Sequence, residues 1–176
     1  MSGHPDLAGP DADAAVEQLY AAHWRQLVRL AALLVHDQAA AEDAVQDAFV
    51  AMHGRWSRLR DPDKALAYLR QAVVNRSRSA LRHQVVVDRH TRSSAQGEGV
   101  VETTPEAGSR RDAVRRALRQ LPDRQREVLV LRYFLDYSEA QIADALDISR
   151  GAVKTHAHRG SAALRELLGD WWEETP

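Results

Sequence analysis

Five residues in the last third of the chain carry the clearest chemical pattern. Arg150, Lys154 and His158 recur every four residues, with Thr155 and Arg159 beside them. On a helix this spacing gathers cations and hydrogen-bonding groups on one side. The chemistry they offer is non-covalent: attraction to phosphates and hydrogen bonding to base edges. A second basic stretch lies upstream. Between Tyr68 and Arg92 stand Arg70, Arg76, Arg78, Arg82, Arg89 and Arg92, against the single acid Asp88. The 176 residues hold 24 Lys+Arg and 25 Asp+Glu, a net charge of −1. The basic stretches are therefore local footprints, not the property of a polycation. Asp43, Gln46 and Asp47 form a patch of opposite sign, which by residue type alone reads as a solvated helix face.

Bond-making chemistry has less support. His156 and His158 are close in sequence, but at i, i+2 on a helix they point to opposite sides and cannot share a metal. There is no HExxH pattern, no nucleophile elbow and no phosphate-cradling glycine loop. Cysteine is absent, which excludes disulfides and thiolate metal sites. The expectation is a protein that is not an enzyme, with no metal and no cofactor.

The elements that must position the downstream basic residues are legible. Leu121-Pro122-Asp123 opens a helix with Val128, Leu131 and Leu135 on one apolar face. Ser138-Glu139-Ala140-Gln141 is a capping box, and the short helix it starts buries Ile142, Ala145 and Leu146. Asp147-Ile148-Ser149 is a tight turn, with Ser149 placed to cap a third helix and Asp147 a candidate for the left-handed region. That third helix turns Val153, Ala157, Gly160, Leu164 and Leu167 or Leu168 inward. Small Ala143, Gly151 and Ala152 would allow a close crossing. A short helix, a three-residue turn and a longer helix make a helix-turn-helix, and a basic N-terminal half on the second suits major-groove entry.

Upstream, residues 1–12 read as a disordered, acidic leader. Tyr20, Trp24, Leu27, Ala31 and Leu34 recur at helical steps. Asp37 caps a second helix that buries Ala41, Ala44, Val45, Ala48, Phe49 and Met52, and Gly54 breaks it. Residues 55–61 form a loop. A third helix starts near Pro62, with Leu66, Leu69, Val73 and Ala80 toward the core. Residues 93–109 lack periodicity and read as a flexible linker. Residues 110–121 add a helix with Ala113, Val114, Ala117 and Leu118 inward. Trp171 and Trp172 stand in a short acidic tail, 171–176, expected to fold back. The composition argues all-α, and no stretch is long and apolar enough to span a bilayer. A soluble, intracellular protein is the expectation.

Two families share the pattern of residues 121–168. One is region 4 of bacterial sigma factors; the other is the LuxR-type output domain, with its REVL…IA..L.IS…VK.H signature. The upstream half separates them. HxxxLxxLAxxLxxDxxxAEDxxQxxF, from His23 to Phe49, followed by AYLRQAVVNRSRSALR, resembles sigma region 2. The match is to the extracytoplasmic-function (ECF) group, most similar to its actinobacterial branch. A LuxR-type regulator would show alternating strands and helices instead. A stand-alone helix-turn-helix regulator is the alternative reading.

The resemblance implies an all-α fold of two small domains. Region 2 would occupy 13–92 and region 4 would occupy 110–170, with 93–109 as the connector. It implies core RNA polymerase as partner, through its β′ clamp coiled coil and β flap, promoter DNA as ligand, and an anti-sigma factor as a further candidate partner. By the same resemblance, Asp43, Gln46 and Asp47 meet the clamp. Asn75 contributes to a pocket for a flipped minus-ten base, Arg76, Arg78 and Arg82 grip phosphates, and Tyr68 stacks where many relatives carry Trp. Arg150, Lys154, Thr155, His158 and Arg159 face the minus-35 element. Arg159, whose fork suits bidentate contacts, leads that set.

Overall fold

The computed structural model describes the backbone of residues 10–35, 37–59, 61–92 and 110–169, with side chains of the third helix described to His83. Seven α-helices run in order among them: α1 Pro10–Leu34, α2 Gln38–His53, α3 Ala65–Arg92, α4 Arg110–Gln120, α5 Asp123–Tyr133, α6 Glu139–Leu146 and α7 Arg150–Leu168. Two single 3-10 turns, Trp56–Arg58 and Pro62–Lys64, fill the connection before α3. No strand occurs among the described residues, so the all-α expectation holds. Residues 93–109, Trp171 and Trp172 lie outside the described residues, as do the side chains of Arg89 and Arg92.

The chain divides into two compact units, 1–83 and 84–176. The division falls inside α3, before the expected boundary at Arg92. Among the residues of α3 whose side chains are described, the last in the core is Leu81, and the helix runs on to Arg92.

In the first unit, α1 packs along α2. The expected leader ends early: α1 begins at Pro10 and Ala12 is already buried. Proline's fixed φ suits a first helical position, which is why a Gly/Pro-rich stretch still yields helix there. Asp37 caps α2, its Oδ2 accepting from Ala40 N at 2.9 Å. The six α2 residues expected inside are all buried. Tyr20, Trp24 and Phe49 cluster at the rim, with Tyr20 and Trp24 stacked at 4.7 Å between ring centroids. On α3 the buried stripe is Ala65, Leu69, Val73, Val74, Ser77 and Leu81. Leu66 and Ala80, expected in the core, are only half-buried. The helix is rotated toward Val74 and Ser77, so a polar Ser sits on a core position.

The second unit is organised on α7, which packs against α4, α5 and α6. Here α5 departs from expectation. It is buried nearly all round, from Arg126 to Leu131, rather than on one face. Neighbours on several sides force two charged residues inside, and each finds a partner. Arg126 donates to Asp123 at 2.7 Å and to the Leu121 carbonyl at 3.2 Å. Glu127 accepts from Arg124 at 3.0 Å. The close crossing also falls elsewhere. Gly151 is exposed, and a Cβ there would meet only Ser149 Oγ. At Gly160 a Cβ would stand 3.1 Å from Leu129 Cδ1 and 3.2 Å from Gln125 Cβ, so α7 approaches α5 there. Leu168 is buried and Leu167 exposed, which decides between the two.

Candidate nucleic-acid interface

The helix-turn-helix is built by local hydrogen bonds. Ser138 Oγ accepts from Gln141 N at 3.3 Å and Gln141 Oε1 accepts from Ser138 N at 2.8 Å, the reciprocal capping box. Asp147 ends α6 in the left-handed region at φ 53°. Ile148 N then donates back to the Ala143 carbonyl at 3.0 Å. Ser149 Oγ accepts from Ala152 N at 3.1 Å and starts α7. Arg124 reaches from α5 to the Leu146 carbonyl at 3.5 Å, tying α5 to the end of α6.

This frame leaves Arg150, Lys154, Thr155, His158 and Arg159 all exposed on α7. Two of them have local partners. Thr155 Oγ1 donates to the Gly151 carbonyl at 3.1 Å, leaving its oxygen lone pairs outward. Lys154 Nζ lies 3.8 Å from Glu139 Oε2 on α6. That pair is loose, with the lysine exposed and Glu139 half-buried, so it holds the lysine weakly. His156 is half-buried, with Nδ1 enclosed and without a partner, while His158 is exposed, as i, i+2 spacing requires. Among the described residues, no three side chains of metal-ligating type gather.

In the first unit, Asp43, Gln46 and Asp47 lie exposed along α2. Val50, 66% exposed, continues the same strip one turn on and was not anticipated. Its spacing of three and four residues from Asp47 and Gln46 is the signal that could have found it.

Beside this strip opens a groove of about 320 Å³, lined by Arg55, Tyr68, Gln71, Asn75, Arg76 and Ser79, with Ala51 and Ala72 between them. It brings together three residues expected at one site, Tyr68, Asn75 and Arg76. Arg78 and Arg82 do not line it. Arg82 is exposed and donates to Ser79 Oγ at 3.1 Å; Arg78 is half-buried. Gln71 was not anticipated, and Arg55 was expected only as the first residue of the loop before α3, which by the family resemblance takes part in capturing the flipped base. Arg55 donates to the Tyr68 hydroxyl at 3.4 Å, and Gln71 Nε2 donates to Asn75 Oδ1 at 3.2 Å. The groove is open and donor-rich, a form suited to an extruded base with phosphates at its rim.

Comparison with known proteins agrees with this division. The family model described as sigma-70 region 2 matches residues 19–85, and that described as sigma-70, region 4 matches 111–164. The RNA polymerase sigma factor CarQ of Myxococcus xanthus is 34% identical over 163 residues, covering 89% of this chain and 90% of its own. The ECF RNA polymerase sigma factor SigM of Mycobacterium tuberculosis is 35% identical over 159 residues, covering 88% and 78%. The sigma-E factor of Streptomyces avermitilis is 34% identical over 142 residues, covering 81% and 78%. In fold, the chain is similar to the sigma factor RpoE of Bartonella quintana, solved in complex with the anti-sigma factor NepR. The TM-score is 0.68 at 24% identity, covering 86% of this chain and 95% of that one.

A region 2 unit followed by a region 4 helix-turn-helix defines a sigma-70-type transcription initiation factor. The chain belongs to the extracytoplasmic-function group of that family, and its region 2 match separates it from the LuxR-type regulators.

Proposed function

We propose that the α2 strip docks this sigma factor on core RNA polymerase, that the α3 groove captures an unpaired base of the minus-ten element, and that α7 reads the minus-35 element. The observation that carries the reading is the convergence of Tyr68, Asn75 and Arg76 on one groove beside the acidic strip. Asp43 and Asp47 offer carboxylates to a basic partner helix, and Val50 adds an apolar contact beside them. In the groove, Tyr68 supplies a ring for stacking and Asn75 a base-edge hydrogen bond, with Arg76 close enough to take the adjoining phosphate. Arg78 and Arg82 would serve phosphates further along the strand. On α7, Arg150, Lys154, Thr155, His158 and Arg159 supply the minus-35 contacts. The place of action is the cytoplasm, where polymerase and promoter meet.

An anti-sigma factor is a further partner in this proposal. The structural neighbour RpoE was solved in complex with the anti-sigma factor NepR, and CnrH in complex with the cytosolic domain of CnrY. A bound inhibitor would act by covering the α2 strip, the α3 groove or α7.

The decisive experiment is charge reversal on α2. Changing both Asp43 and Asp47 to Lys is expected to abolish co-purification with core polymerase while circular dichroism stays helical, since both side chains are exposed. Undiminished binding by a folded double variant would remove the docking role.

A further inference from the structure

Gln71 and Asn75 stand one helical turn apart on α3, and both line the groove. Gln71 Nε2 donates to Asn75 Oδ1 at 3.2 Å. A side-chain amide has one acceptor end and one donor end. An exposed Asn free to rotate about its last bond would offer either end to a base, and would discriminate little. With its oxygen engaged by Gln71, Asn75 keeps its NH2 group for the groove.

The charged part of the lining has the same polarity. Arg55 and Arg76 carry guanidinium groups, which donate and never accept. The Tyr68 hydroxyl already accepts from Arg55, and Ser79 Oγ from Arg82. A base presenting a carbonyl meets partners here. A base presenting an amino group at that edge meets donor against donor, and its own donor goes unmatched.

We propose that Gln71 is a positioning residue that fixes the direction of the Asn75 amide, and that the groove consequently prefers a keto base, guanine or thymine, over an amino base, adenine or cytosine. This rests on the reading of the groove as the minus-ten base site. Gln71 need not touch the DNA; it acts through Asn75.

The test uses the full chain in holoenzyme, with a library of promoter forks whose minus-ten non-template strand is randomised. Bound forks are recovered and sequenced. Wild type is expected to favour keto over amino bases at one position by roughly two- to tenfold, the range of one hydrogen bond. In Gln71→Glu the new carboxylate only accepts, so Asn75 turns its NH2 inward and presents Oδ1 to the groove. In Asn75→Asp one oxygen takes the Gln71 bond and the other faces the base. Both variants are expected to move that one position toward amino bases, and Gln71→Leu to flatten it. A merely structural role for Gln71 would not shift two unlike variants in the same direction. A wild-type profile retained by Gln71→Glu, while Asn75→Ala loses it, overturns the positioning role alone. No change in any position with Asn75→Ala overturns the base-site reading as well.

Discussion

Arg76 Nη1 on α3 lies 3.4 Å from Asp47 Oδ2 on α2, so a cation of the groove and a carboxylate of the proposed docking strip are held to each other. Both side chains are partly exposed, 37% and 66%, which puts the pair at about 0–1 kcal/mol. It is weak enough to exchange. A basic partner that engages Asp47 competes with Arg76 for the same carboxylate and frees the arginine toward phosphate. In the free protein, Asp47→Asn is therefore expected to raise affinity for single-stranded DNA by roughly two- to fivefold at low salt. Asp43→Asn removes the same charge from the same strip without an observed bond to Arg76, and should gain less. Fluorescence anisotropy would read both, and equal gains would mean that only net charge matters.

The two proposed DNA contacts act at different stages. Arg159→Ala is expected to cost roughly 1–3 kcal/mol at promoters with a good minus-35 element and to relax base preference there. Asn75→Ala should leave the closed complex nearly intact and impair opening or minus-ten selectivity, because the role proposed for its groove is to take an unpaired base. Permanganate footprinting separates the two. Loss of the closed complex in both variants would contradict the assignment.

Stability offers an independent check on how α7 is seated. Gly160 is buried where α7 approaches α5, with Leu129 and Gln125 within 3.2 Å of a virtual Cβ. Alanine would gain helix propensity while pressing on Leu129, and the two effects oppose each other. Gly160→Val adds two methyl groups beyond the Cβ, against Leu129 and the Gln125 Cβ. It is expected to destabilise the second unit by roughly 1–3 kcal/mol. Gly151→Val, at an exposed position with open surroundings, should be close to neutral, because valine is no worse a helix former than glycine. Thermal unfolding of the two variants should rank them in that order.

What could be read in the sequence was local. The capping box at Ser138, the Ser149 cap and the left-handed Asp147 each depend on residues within a turn, and the structure has all three. What could not be read was set by distant neighbours. Arg126 and Glu127 look like surface residues until elements on several sides enclose α5. Gly151 and Gly160 are alike as residues, and only the position of α5 decides which meets a neighbour. Arg76 and Asp47 are far apart in the chain, so their pairing needed α2 and α3 in place. Gln71 was missed as well, although its i, i+4 spacing from Asn75 was the signal that could have found the amide pair.

The remaining prediction is that the free protein binds promoter DNA poorly. The chain is nearly neutral, with 24 basic and 25 acidic residues, so it lacks long-range attraction for a polyanion. Its basic surfaces are divided between two units, and Lys154 and Arg76 each face a carboxylate of their own unit. Two weak sites reinforce each other only when both can engage at once. Polymerase would supply that geometry by holding the first unit at the clamp and the second about a promoter spacer away. In its proposed role the α3 groove also needs an unpaired strand, which intact duplex does not offer. A gel-shift titration is expected to show little specific binding without core enzyme and a salt-sensitive, promoter-specific complex with it. Tight, sequence-specific binding by the free protein at physiological salt would show that its two DNA surfaces do not need polymerase to work together.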